Sequence, residues 1–177
     1  MGYEAATFQE IAARADLTRP AINHYFASKQ ALYRHVVSET NSVVIAAGIK
    51  QAEAEQTLAG RVNAFMRAAV HVRDSDTSTA AFLATSALEC QRHPELNAAV
   101  GDSLRDTREF AAAAVRNGID NGELRQDLDV DAVTEMLVAA LWGLGFYAGF
   151  VGGRDRLSAV AGQFIDLLDG GPWKRTG

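Results

Sequence analysis

The chain has 177 residues, 48% hydrophobic and 22% charged, a balance that supports a folded core and excludes a disordered or low-complexity chain. Its one cysteine, Cys90, excludes an intramolecular disulfide framework, and a net charge of −5 argues against a general nucleic-acid binder. Residues 1–40 nevertheless balance Arg14, Arg19, Lys29 and Arg34 against Glu4, Glu10, Asp16 and Glu39, so the acidic excess lies in 41–177 and a neutral front remains that is compatible with a DNA-facing end.

Three prolines and abundant alanine favour helix, and no sustained alternation of apolar and polar residues marks a strand. The fold class expected is all-α. Thr7-Phe8-Gln9-Glu10 is a capping box, followed by Ile11, Ala12 and Ala15 on one face. Asp16-Leu17-Thr18 interrupts the pattern: Asp tolerates the left-handed backbone of a tight turn, and Thr18 caps the next helix. Pro20 falls in that helix's first turn, where its missing N–H costs nothing, and Ile22 and Phe26 are its apolar stripe. Two short helices around a three-residue turn, with Leu17 tucked between them, make a helix-turn-helix.

Ser28 caps a longer helix to about Glu55, with Leu32, Val36, Val37, Val43, Val44 and Ala47 expected inward. Thr57 caps another, with Val62, Phe65, Met66, Ala69 and Val70 at helical spacing. Asp74–Thr79 is a polar connection, and a helix from about Thr79 ends at Arg92, before Pro94. Pro94 and Glu95 open a helix through Leu96, Val100, Leu104, Phe110 and Val115, and Asn117-Gly118 and Asn121-Gly122 are its fraying end. Asp129 caps a strongly apolar helix to about Val151 that Gly152-Gly153 ends. The last helix carries Leu157, Val160, Ala161, Phe164, Ile165 and Leu168 on one face, before Gly170-Gly171-Pro172 and a loose tail.

The uncharged stretch Met136–Val151 is shorter than the roughly 20 residues that span a bilayer. With no signal-peptide pattern after Met1, a soluble cytoplasmic protein and no membrane partner are expected. His71, His93, Cys90 and Glu89 lack metal-ligand spacing, and no nucleophile elbow, P-loop or dinucleotide fingerprint occurs. No metal, cofactor or enzymatic activity is expected, and Cys90 reads as a small buried hydrophobe.

Gly2-Tyr3, Thr7, Ile11-Ala12, Ala15, Leu17-Thr18-Arg19-Pro20-Ala21-Ile22, Phe26, Ser28-Lys29 and Leu32 together resemble the signature of the TetR family of bacterial transcription regulators. The family motif runs Gly-aromatic, Thr, Ile-Ala, a Gly-Val-Ser-like turn, a recognition helix ending in aromatic–x–His–Phe, then Ser-Lys and Leu. Here Asp16 stands at the turn glycine, and the helix end reads Asn23-His24-Tyr25-Phe26. The C-terminal part resembles the family in helix count and in Gly122-x-Leu124, then Asp129 and Asp131, before an apolar helix. Family members carry a further helix and a basic arm ahead of the Gly-aromatic pair, so the expectation is a truncated, N-terminally incomplete helix-turn-helix whose small core lacks one wall.

The resemblance implies a helix-turn-helix DNA-binding domain over 1–35, a helical regulatory and dimerisation domain over 36–170 and a tail over 171–177. A recognition helix presents its first residues to base edges in the major groove. Arg19 is suited to guanine, Asn23 to adenine, and Pro20 or Ala21 to a thymine methyl. Thr7, Thr18, Tyr25 and Lys29 sit where phosphates are held, with His24 beside them, and the alternative for Tyr25 is packing on the following helix. The implied function is a ligand-responsive repressor binding a palindromic operator as a homodimer.

Ala139, Gly143, Gly145 and Gly149, with Leu157, Val160, Phe164 and Leu168, are the expected dimer interface. Phe65, Met66, Phe82, Phe110, Met136, Trp142, Phe146 and Tyr147, with Thr85 and Gln91 as polar handles, are expected to line a pocket for a small apolar effector. Two competing readings remain: a helical ligand-binding or scaffold protein that has lost DNA binding, and an all-helical enzyme whose constellation is not visible in the residues.

Overall fold

A computed structural model describes Tyr3 and residues 6–71, 78–151 and 153–170. Every helix or strand element among them is helical: α1 (Phe8–Arg14), α2 (Arg19–Tyr25), α3 (Lys29–Ala52), α4 (Leu58–His71), α5 (Ser78–Arg92), a 3-10 turn (Pro94–Leu96), α6 (Ala98–Asp120), α7 (Val130–Phe150) and α8 (Arg154–Gly170). The expected connection over Asp74–Thr79 and the tail lie largely or wholly outside the described residues.

The helix starts follow the local chemistry. Thr7 and Glu10 form the capping box, the Glu10 amide donating to Thr7 Oγ1 at 3.2 Å and the Thr7 amide to Glu10 Oε2 at 3.1 Å. Thr18 accepts from the Ala21 amide, Ser28 from Ala31, Thr57 from Gly60 and Asp129 from Ala132. Asp16 has φ 55°, the left-handed residue of the helix-turn-helix turn. Pro94 opens a separate 3-10 turn rather than α6 itself. The end of α6 is an ordered closure: the Glu123 and Leu124 amides both donate to the Gly118 carbonyl at 2.9 Å, with Gly122 at φ 74°.

One apolar cluster joins α3, α4, α6, α7 and α8. Leu58, Val62, Phe65, Val115, Leu124, Leu137 and Leu168 belong to it, and Phe65 stacks on Phe110 with centroids 4.6 Å apart. The buried face of α3 differs from the expected one. Val37, Asn41, Ile45, Gly48 and Ala52 are buried, whereas Val36 and Val43 face outward. Apolar residues occur on every side of α3, so its own pattern does not choose a stripe. The choice is made by Gly48, where a Cβ would stand 2.6 Å from the Phe65 ring, so only glycine lets α3 and α4 approach this closely.

Helix α7 packs on α5, α6 and α8. It is nonetheless long and apolar enough to cross a membrane, at 21 residues. Only 17% of that apolar window is buried inside the chain, which leaves much of its surface uncovered.

Candidate nucleic-acid interface and regulatory body

Helix α2 is a platform with one side fixed and the rest in solvent. Ile22 is 5% exposed and anchors it against Ala12 of α1, at 3%. Arg19, Pro20, Asn23 and His24 are exposed, Ala21 half-buried, and Tyr25 is 77% exposed with His24 packed edge-on against its ring. Packing of Tyr25 on the following helix, the alternative to a phosphate contact, is therefore not made. Leu17, expected between the helices, is 53% exposed, and Ala15 is exposed as well.

The remaining contact candidates are engaged with the chain itself. Thr7 and Thr18 use their hydroxyls as helix caps, and Thr7 Oγ1 also donates to Glu10 Oε2 at 2.9 Å. Lys29 is half-buried: its Nζ donates to the Tyr3 carbonyl at 2.9 Å and lies 4.4 Å from the centroid of the Tyr3 ring. Helix α3 runs without a break through the expected boundary at 35/36, so the head rests on the end of a shaft rooted in the body.

The residues expected to line a pocket lie in different places, some in the core and some on the outside of the body. Phe65, Met66 and Phe110 are part of the core cluster, and Trp142 packs against it. Phe82 lies 6.1 Å from the Tyr33 ring, and Thr85 donates its hydroxyl to the Ala81 carbonyl. Met136 and Phe146 are 37% and 47% exposed on the outer side of α7. Helical spacing alone could not separate these groups, because α7 is apolar nearly all round. Gln91, the second handle, is exposed.

Part of the expected dimer face stays open, and part is taken up within the chain. Ala139, Gly143 and Gly145 are exposed, as is Val160. Leu168, however, is 2% exposed in the core, and a Cβ on Gly149 would stand 2.7 Å from the Ala81 backbone, so that glycine seats α7 on α5. Ala140, Gly143, Leu144, Tyr147, Val160 and Phe164 line an apolar groove of about 300 Å³ between α7 and α8. Leu157 is half-buried nearby in sequence. Phe150, Val151 and Leu167 are more than half exposed, and the periodicity of the sequence did not single them out.

Several polar groups are buried in the body. Ser103, Thr107 and Thr134 are each under 5% exposed, and the Thr134 hydroxyl has no hydrogen-bond partner among the described residues. Burial pushes the Tyr33 hydroxyl up from its ordinary range, the Ser86 hydrogen bond opposes this, and the Glu89 carboxylate adds to it. Burial, with Glu89 beside it, also raises the Cys90 thiol. Among the described residues no group of three His, Cys, Asp or Glu side chains could hold a metal ion, and the His71 side chain lies outside them.

A short helix-turn-helix at one end of a long all-helical body defines a two-part DNA-binding regulator. Residues 1–36 match the family described as bacterial regulatory proteins, tetR family, and residues 52–168 match the tetracyclin repressor-like C-terminal domain. The chain belongs to the TetR family of DNA-binding transcription regulators.

Solved structures share the fold. The regulator FadR from Bacillus subtilis, solved in complex with stearoyl-CoA, is similar at 19% identity and a TM-score of 0.81, covering 96% of this chain and 90% of its own. The fatty acid degradation regulator FadR from Bacillus halodurans gives 20% identity and 0.77, covering 98% and 89%. The ketosteroid regulator KstR2 of Mycobacterium tuberculosis gives 20% and 0.69, covering 98% and 87%. No curated protein matches the sequence.

Proposed function

We propose that this chain is a cytoplasmic, ligand-responsive repressor that binds a palindromic operator as a homodimer. The observation that carries the reading is the outward row Arg19, Pro20, Asn23 and His24 on α2, presented by a helix whose one buried side chain is Ile22. Arg19 pairs with guanine and Asn23 with adenine in the major groove, while Thr7, Thr18, Tyr25 and Lys29 lie beside the backbone path. A single half-site of a few base pairs gives little specificity, so two heads are needed.

The second copy docks on the open face of α7 and α8. Ala139, Gly143 and Gly145 allow close approach there, and Met136, Phe146, Phe150, Val160 and Leu167 supply apolar area that water otherwise covers. The effector is small and apolar, and the Bacillus subtilis neighbour was solved with a ligand that carries a long apolar acyl chain on a charged CoA group. It parts the body near Phe65, Phe110 and Trp142, and the buried Thr134 hydroxyl of α7, unpartnered among the described residues, is a candidate polar handle. Its binding shifts the population of head spacings only as far as its affinities for the two states differ.

The test is binding of the chain to DNA from beside its own gene, titrated against salt. Affinity should fall by about 10³-fold or more between about 50 and 200 mM salt, and Arg19→Ala should relax specificity at one position of each half-site. Absence of any salt-dependent binding would overturn the repressor in favour of a helical ligand-binding protein. Phe146→Glu should turn the dimer into a monomer in sedimentation, and an unchanged dimer would move the interface elsewhere.

A further inference from the structure

The reading pair α1–α2 lies between Tyr3 and Lys29, and those two ends are fastened together. Lys29 Nζ donates to the Tyr3 carbonyl at 2.9 Å and covers the Tyr3 ring at 4.4 Å. The same ring packs on two others, Tyr33 at 4.8 Å and His93 edge-on at 5.2 Å. Tyr33 continues into α5, where its hydroxyl donates to Ser86 Oγ at 3.2 Å. Ser86 is fully buried and in turn donates to the Phe82 carbonyl at 2.7 Å.

His93 begins the knuckle between α5 and α6. The Leu96 amide donates to the His93 carbonyl at 2.8 Å, and Cys90 Sγ donates to the Leu96 carbonyl at 3.4 Å. The imidazole stands between two carboxylates, Glu89 Oε2 at 3.9 Å and Glu95 Oε1 at 3.4 Å. Gln30 of α3 also donates to the Glu95 carbonyl, at 3.5 Å. Among the described elements, α1 and α2 make substantial contact only with each other. Their orientation on the body therefore depends on the α3 shaft and on this seam.

We propose that the seam of Tyr3 and Lys29 against Tyr33 and His93 is the joint that fixes the angle of the reading head, with Tyr33 and His93 as positioning residues. They touch no DNA. They set how far apart two recognition helices stand in the dimer, which must match half-sites about one helical turn apart. This rests on the operator-binding dimer proposed above. One aromatic pair biases a two-state joint by about two- to tenfold, and in a dimer the bias acts at both heads.

The experiment uses the whole chain carrying His93→Ala, His93→Phe or Tyr33→Phe. Amide hydrogen exchange over residues 8–25 is read together with affinity for palindromes whose half-site spacing is changed by one or two base pairs. His93→Ala should speed exchange in α1 and α2 by about three- to tenfold while α6 to α8 stay unchanged. It should flatten the spacing preference by a similar factor and leave affinity for an isolated half-site intact. His93→Phe keeps the edge-on ring and should restore both readouts. Tyr33→Phe keeps the stack but drops the Ser86 hydrogen bond, giving a smaller change in the same direction. Unchanged exchange over 8–25, or half-site affinity falling as much as spacing discrimination, would overturn the joint. Failure of the unsubstituted chain to bind any palindrome would overturn the operator reading instead, and the exchange result would still decide the joint.

Discussion

In α1 and α2 only Ala12 and Ile22 are buried, whereas in the body α3, α4, α6, α7 and α8 all contribute fully buried or nearly buried side chains to one cluster. The head presents Arg19, Asn23, His24 and Tyr25 to solvent, and a helix of seven residues cannot do that and also bury a face of its own. Isolated helices of that length are marginal in water, so the head's order depends on caps, one tight turn and the Tyr3 seam. The body has the opposite imbalance, with more apolar surface on α7 and α8 than one chain can cover. Uncovered surface is left in both regions, polar in the head and apolar in the body, where the proposed DNA and dimer contacts fall.

The contrast is broken most severely at Leu137, fully buried in α7. Leu137→Ala should cost about 2–5 kcal/mol through lost contact and a residual cavity, read as a lower midpoint in urea unfolding of the whole body. Gly48→Ala should cost about 1–3 kcal/mol, because the added Cβ meets a Phe65 ring already stacked on Phe110. The same change at an open helical glycine would be stabilising by about 1 kcal/mol, so a gain at position 48 would sink the close-approach argument.

In the head the expected effect is smaller and opposite in sign. Asp16→Gly removes the cost of a side chain at φ 55° and should raise stability by up to about 1 kcal/mol, visible as slower exchange in α1 and α2 rather than in the global midpoint. The smallest effect belongs to the exposed pair Arg108–Glu135, whose second contact is 3.3 Å. The Arg108 hydrogen bond lowers the Glu135 carboxyl below its ordinary value, while Glu135 raises Arg108. A carboxyl lowered in the folded state adds stability above its unfolded value and loses it as pH falls through the folded one. Glu135→Gln should therefore leave neutral-pH stability nearly unchanged and make the acid limb of a denaturation series slightly shallower.

Much of the head was legible in the residues because its determinants are local. The Thr7–Glu10 box, the Thr18 and Ser28 caps, Asp16 in the left-handed turn and Pro20 in a first turn each act within a few positions of themselves. The Asp129 cap and the helical class of the body were legible for the same reason. The candidate site was legible as a motif, but not as a set of contacts. Nothing near Lys29 in sequence announces that its ammonium meets the Tyr3 carbonyl across 26 positions.

What the sequence by itself determined is most of the helix starts, through their caps, and that the first two helices form a helix-turn-helix. Only the tertiary structure decided which faces they bury. It chose the Asn41 and Gly48 side of α3 over Val36 and Val43, drew Leu168 inside and Gly149 against α5 while leaving Phe146 and Phe150 out, and capped α4 with Glu123 from 65 positions away. Caps and turns are settled by neighbours along the chain, whereas helices apolar on several sides have degenerate patterns. That degeneracy is resolved only by the close-packed partners that other segments bring to them.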